Sequence, residues 1–283
     1  MRTLQAKIEK LCAAPPSATF TKSAMATFSD LLDALESGDV RAATRDRGVW
    51  KAVPWVKQGI LLGFRIGRIV DMSVPAKAKG ARLSFVDKHT FPVRQFTVAD
   101  RVRVVPGGSS VRRGAYVAKG VICMPPMFVN AGAWIGEGTM IDSHALVGSC
   151  AQVGKRVHLS AAAQIGGVLE PVNASPVVIE DDALVGGNCG VYEGTVVRAR
   201  AVLAAGVVLT RGTPVYDLVR ERVLRGSTDQ PLEIPEDAVV VPGARAVTSG
   251  WGKTHGLSLQ TPVIVKYRDA KTDTATALEA WLR

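Results

Sequence analysis

MFVNAGAWIGEGTMIDSHALVGSCAQVGKRVHLS, residues 127–160, carries an aliphatic residue at every sixth position: Val129, Ile135, Ile141, Val147, Val153 and Leu159. The same step runs back through Cys123 and Val117 to Val111, and forward to Ile165. It breaks in GGVLEPVNASPV and resumes at Ile179, Val185, Val191, Val197, Leu203, Leu209 and Val215. A strand alternates with a period of two and a helix with a period of about 3.6, so neither produces this spacing. Short straight segments separated by turns do produce it. Each segment points one aliphatic side chain inward, and three segments close one coil. A coil buries its aliphatic residues only by stacking on the next, so the repeats are stable together. Glycines follow the inward position at Gly136, Gly148, Gly154, Gly166 and Gly186, where they permit tight turns. The pattern predicts a mainly β chain folded as a parallel β-helix, a hexapeptide-repeat solenoid. A solenoid is compatible with catalysis or with passive scaffolding, so the fold alone assigns no chemistry.

Residues 1–100 lack the six-residue step. SDLLDALESGDVRAA reads as an amphipathic helix, with Leu31, Leu32 and Leu35 on one face and Gly38 near its end. VPWVKQGILLGFRI, Val53 to Ile66, reads as a helix or a buried strand. After Val215, RERVLRGSTDQPLEIPEDA reads as a loop excursion, PVIVKY (Pro262 to Tyr267) as a strand and TATALEAWLR as a short terminal helix. The expected organisation is a mainly helical N-terminal domain at 1–100, the β-helix at 101–248 and a C-terminal strand-and-helix extension at 249–283.

The composition narrows the function classes. Apolar residues make up 47% and charged residues 21%, as in a globular soluble chain. No stretch is apolar enough to cross a membrane, and the N-terminus lacks a signal-peptide core, so a cytoplasmic location is expected. Cys12, Cys123, Cys150 and Cys189 show no C-x-x-C spacing and read as reduced thiols. The net charge of +10 suits an anionic ligand such as a CoA phosphate or a dicarboxylate. No nucleic-acid-binding motif accompanies it, so nucleic acid is not an expected partner.

Three runs resemble one family closely: RVVPGGSSVRRGAYVA (Arg103–Ala118), MFVNAGAWIGEGTMIDSHALVGSCAQVGKRVHLS (Met127–Ser160) and IGGVLEPVNASPVVIEDDALVG (Ile165–Gly186). They resemble the 2,3,4,5-tetrahydropyridine-2,6-dicarboxylate N-succinyltransferases of the diaminopimelate–lysine pathway. The likeness extends to VWKAVPWVKQGILLGFRI upstream and PVIVK downstream. It implies a left-handed β-helix, a homotrimer with active sites in grooves between subunits, and no permanently bound cofactor. Succinyl-CoA would be the cosubstrate, or acetyl-CoA as in relatives from secondary metabolism such as tabtoxin biosynthesis. A small amino-dicarboxylate would accept the acyl group.

The resemblance also assigns residues. Arg103, in the RVVP run, corresponds to a substrate-binding arginine, and a guanidinium holds a carboxylate with paired hydrogen bonds. Read without the family it is a solvated surface arginine. Asp142, in GTMIDSH, corresponds to a functional aspartate that orients the amine or accepts its proton; the plain alternative is a turn aspartate. Ser160 is one coil beyond Asp142, and with Gly166 and Gly167 it would line the CoA groove, although turn chemistry explains all three as well. Two positions depart from the family. GNCGVYEG (Gly187–Gly194) has Gly190 where the family pattern A-R-S-E-V-V-E-G has a glutamate, and Glu193 matches a different position. His144 stands where a tryptophan is usual, and a histidine near neutral pH is a candidate base. The expectation is therefore that His144 takes over the proton handling lost with the carboxylate at Gly190, the alternative being a surface turn histidine. Two other readings compete with the acyltransferase. A zinc hydro-lyase on the same solenoid needs three histidines, and the β-helix offers only His144 and His158. A non-catalytic scaffold is the other.

Overall fold

Each six-residue step folds as a two-residue strand followed by a tight corner. The computed structural model describes residues 2–15, 19–75, 82–228 and 230–272. Every residue of the six-step series from Val111 to Val215 is at most 6% exposed. The strands stack in parallel into three sheets, giving the hexapeptide-repeat left-handed β-helix. Sheet I begins Arg103–Val104, Ile122–Cys123, Met140–Ile141, His158–Leu159, Leu184–Val185. Sheet II contains Ser110–Val111, Phe128–Val129, Leu146–Val147, Gln164–Ile165, Gly190–Val191 and Val208–Leu209. Sheet III begins Tyr116–Val117, Trp134–Ile135, Gln152–Val153, Val178–Ile179, Val196–Val197. Because successive side chains alternate, from Ser110–Val111 onward the second residue of each pair fills the core, while Val104 of the first strand is still exposed.

The break after Ile165 is an excursion from the coil. Gln152 pairs with Val178, so the register widens there and closes again with Val178 against Val196. A buried lysine fixes the loop: Lys57 Nζ donates to Ala174 O at 2.7 Å and to Pro171 O at 3.4 Å. Burial pushes the Lys57 ammonium below its ordinary value.

The stretch 53–66 resolves as a helix. Three N-terminal helices, α1 (Arg2–Cys12), α2 (Lys22–Ser37) and α3 (Pro54–Ile66), pack together. Leu31, Leu32 and Leu35 lie on the buried face of α2, and Gly38 ends it in the left-handed conformation. The cluster formed by Ile8, Phe28, Leu31, Ile60 and Phe91 continues into Ala131 and Cys150 of the β-helix, joining the helices to its side.

The segment expected as a loop after Val215 is more ordered than that. Arg222–Leu224 pairs antiparallel with Val215–Asp217, and Glu233–Ile234 rejoins sheet III with Ile234 fully buried. The expected strand near Pro262 is Val263–Tyr267, which runs antiparallel to Ala238–Val241. The TATALEAWLR segment lies outside the described residues. Among the described residues no helix is long and apolar enough to cross a membrane.

Candidate active site

The corner between sheets I and II gathers the titratable side chains. Asp142 leaves the Met140–Ile141 strand with its N–H bonded to Leu159 O at 2.9 Å and its carbonyl accepting from Ala145 N–H at 3.1 Å. These bonds fix its Cα, and strand alternation turns its side chain outward. There its Oδ2 meets His158 Nε2 at 2.9 Å. The two side chains are 28% and 17% exposed, so the pair is sheltered but open to solvent. Nε2–H donating to the carboxylate makes Nδ1 a bare acceptor. Nδ1 is buried and has no partner among the described residues. Asp142 can thus accept a proton from an approaching amine while His158 holds its second oxygen.

His158 is the functional candidate that counting by coils missed. Stacking sets Ser160, not His158, directly beside Asp142, and Ser160 does lie there, half-buried, its N–H on Val185 O. His158 reaches Asp142 diagonally, from the outward position of the next coil. The signal in the sequence was a long polar side chain two residues short of the stacked position.

The other expected residues fall in three places. His144 is exposed at the same corner with φ +63°, a left-handed turn position, and its N–H bonds to Pro126 O. Among the described residues no hydrogen bond joins its ring to Asp142, whose imidazole neighbour is His158. Arg103 is exposed on the outer face of sheet I, in one column with Ile122, Met140 and His158. It lies two coils below the level of Asp142, roughly 10 Å at the usual strand spacing. Gly166 and Gly167 stand at the next corner, between sheets II and III. They line a cavity of about 530 Å3 with Tyr192, Thr210 and Arg211.

That second corner is packed backbone against backbone. A Cβ added to Gly148 would lie 2.2 Å from Gly167 N, and one added to Gly167 would lie 2.6 Å from Ser149 N. The close approach of the coils requires glycine there whatever ligand the cavity takes. Glu193 is spent locally, since its Oε2 accepts the Arg211 N–H at 3.1 Å. The cysteines are not activated. Burial pushes the thiols of Cys123 and Cys150 up to about 12 and raises that of Cys189. Among the described residues no three His, Cys, Asp or Glu side chains converge as a metal site.

A hexapeptide β-helix with a helical N-terminal cap and a carboxylate–imidazole pair at one corner defines an acyltransferase of the hexapeptide-repeat class. Residues 3–66 match the tetrahydrodipicolinate N-succinyltransferase N-terminal family, and residues 176–211 match the hexapeptide repeat of succinyl-transferase. A relative from Polynucleobacter asymbioticus named 2,3,4,5-tetrahydropyridine-2,6-dicarboxylate N-succinyltransferase is 42% identical over 258 residues, covering 89% of this chain and 87% of the relative. One of the same name from Idiomarina loihiensis is 39% identical over 263 residues, again covering 89% of this chain and 87% of the relative. The chain belongs to the 2,3,4,5-tetrahydropyridine-2,6-dicarboxylate N-succinyltransferase family. Among solved structures, a Campylobacter jejuni protein described as a candidate 2,3,4,5-tetrahydropyridine-2-carboxylate N-succinyltransferase shares the fold. It aligns with a TM-score of 0.52 at 16% identity, over 87% of this chain and 63% of that one.

Proposed function

We propose that the chain transfers a succinyl group from succinyl-CoA to the amine of ring-opened tetrahydrodipicolinate, a step of diaminopimelate–lysine synthesis. The observation that carries the mechanism is the 2.9 Å contact between Asp142 and His158 at a partly open corner. The amine must be neutral to attack, and Asp142, oriented by His158, takes its proton. The amine nitrogen bonds to the thioester carbon, the carbon–sulfur bond breaks, and the leaving thiolate takes up the proton, giving amide and free CoA. Arg103 would hold a substrate carboxylate beyond the reacting amine, and its offset from Asp142 along sheet I suits an acceptor with two separated carboxylates.

The working assembly in this proposal is a homotrimer, with each groove lying between two copies. Its support is the outer faces of sheets I and II, which expose or half-expose Met140, Leu184, Phe128, Leu146 and Val208. Sheet III is covered differently, with Trp134 and Tyr116 stacked on each other and Arg41 over Trp134.

A thiol-release assay on purified protein tests the reading. Succinyl-CoA and acetyl-CoA are offered side by side, with tetrahydrodipicolinate or 2-aminopimelate as acceptor. The expected result is amine-dependent CoA release with succinyl-CoA. No release with either donor overturns the proposal and favours a scaffold.

A further inference from the structure

The outer face of sheet II is a column of six positions: Ser110, Phe128, Leu146, Gln164, Gly190 and Val208. Only Gly190 has no side chain, and Tyr192, two residues on, folds its ring back over the gap. A Cβ added to Gly190 would lie 2.5 Å from Tyr192 Cε2 and 2.9 Å from the hydroxyl oxygen. A Cβ added to Gly166 would lie 2.8 Å from Cδ1 of the same ring. The ring therefore lies between two glycines of adjacent coils, and a side chain at either would displace it. Its hydroxyl occupies the outward position that a residue-190 side chain would fill, on the end of the strand nearest the Asp142 corner.

At its own level the hydroxyl stands apart from its neighbours on the face, the Ser110 hydroxyl lying four coils away. Phe128, Leu146 and Val208 are apolar, and the Gln164 amide is shared between His144 O and Ala162 O, both at 3.3 Å. Among the described residues the Tyr192 hydroxyl has no hydrogen-bond partner, and the residue is half-buried. It is an uncommitted donor on an apolar strip, beside the cavity that Gly166, Gly167 and Tyr192 line together. Gly190 lies two coils above the level of Asp142, roughly 10 Å along the helix. A donor to the reacting carbonyl must sit about 3 Å from its oxygen, so the hydroxyl is poorly placed for that role and well placed for the far end of a short acyl chain.

We propose that Tyr192 is a donor-specificity residue: its hydroxyl, held at the outward position that Gly190 leaves without a side chain of its own, hydrogen bonds the terminal carboxylate of a dicarboxylic acyl-CoA. The proposal rests on the acyltransferase reading above. A phenol bonded to a carboxylate makes a charge-assisted contact, whose loss costs about 10-fold or more.

The test measures kcat/KM for succinyl-CoA and for acetyl-CoA in wild type, Y192F and G190A, with thermal melts alongside. Y192F keeps the ring and removes only the hydroxyl. Its expected loss is about 10-fold or more with succinyl-CoA, against a change within about twofold with acetyl-CoA, and an unaltered KM for the amine. G190A pushes the ring aside and is expected to show the same donor-selective loss. Equal losses with both donors, no loss in Y192F, or a wild type that prefers acetyl-CoA overturns the inference. A wild type inactive with both donors instead removes the acyltransferase reading beneath it, so the two failures are distinct.

Discussion

Two neighbouring corners of this β-helix are built from the same six-residue unit and do opposite things. At the corner between sheets I and II, the residue after the inward aliphatic is Asp142 or Ser160, and the coils leave room for side chains that meet solvent and one another. At the corner between sheets II and III, the corresponding residues are Gly148 and Gly166, and Gly148 abuts Gly167 backbone to backbone. At Asp142 and Ser160 the first corner admits side chains, although one coil further on Gly186 is packed against Ala205 N, 2.6 Å from an added Cβ. At Gly148 the second corner cannot gain even a methyl group without moving a coil.

The sharpest way to break this contrast is Asp142→Asn. The amide keeps the shape and removes the base, so kcat should fall about 1000-fold while the melting temperature stays put. Near-normal turnover would show that the open corner is not where protons move. Gly148→Ala probes the other side. Its Cβ would meet a backbone nitrogen at 2.2 Å, and denaturant titration should register a loss of about 3 kcal/mol. Gly212→Ala, with nothing within 4 Å of the added Cβ, should change stability by less than about 0.5 kcal/mol. Equal effects at the two glycines would dissolve the distinction. His158→Gln is a finer probe. It retains a donor for Asp142 but loses the rigid ring that aims it, so kcat should drop about 10-fold with KM for the amine little changed. An unchanged kcat would reduce His158 to a structural prop. The smallest effect is expected from His144→Asn, which tolerates the left-handed turn, and turnover should stay within about twofold across the pH range. A tenfold loss would return proton handling to the exposed histidine.

The β-helix was legible because burial leaves a periodic trace. Every sixth residue had to be apolar, and each one from Val111 to Val215 is in the core. The trace vanishes where the chain leaves the coil. Ile234 belongs to the same core, but the hairpin of Val215–Asp217 with Arg222–Leu224 separates it from the series. The helix at Pro54–Ile66 was ambiguous for another reason: its short apolar run fits either period, and only packing on Phe28 and Phe91 decides it. The site was legible through Asp142 and less so elsewhere. Counting in whole coils finds stacked residues such as Ser160, whereas His158 meets Asp142 on a diagonal and Tyr192 folds back across two residues of its own strand. Side-chain direction, unlike side-chain polarity, leaves no repeat to read.

The reversed strand Val263–Tyr267 has a consequence for the fate of the chain outside its own active site. It lies antiparallel on Ala238–Val241, and so covers backbone that a further parallel coil would have used. A solenoid with that edge bare would be a template for other chains, each adding its strand to the last. On its other side the strand pairs with Val215–Asp217, so the free edge of sheet I passes to the short strand Arg222–Leu224. A truncation before Pro262 would bare the Ala238–Val241 edge, and light scattering should register self-association that rises with concentration.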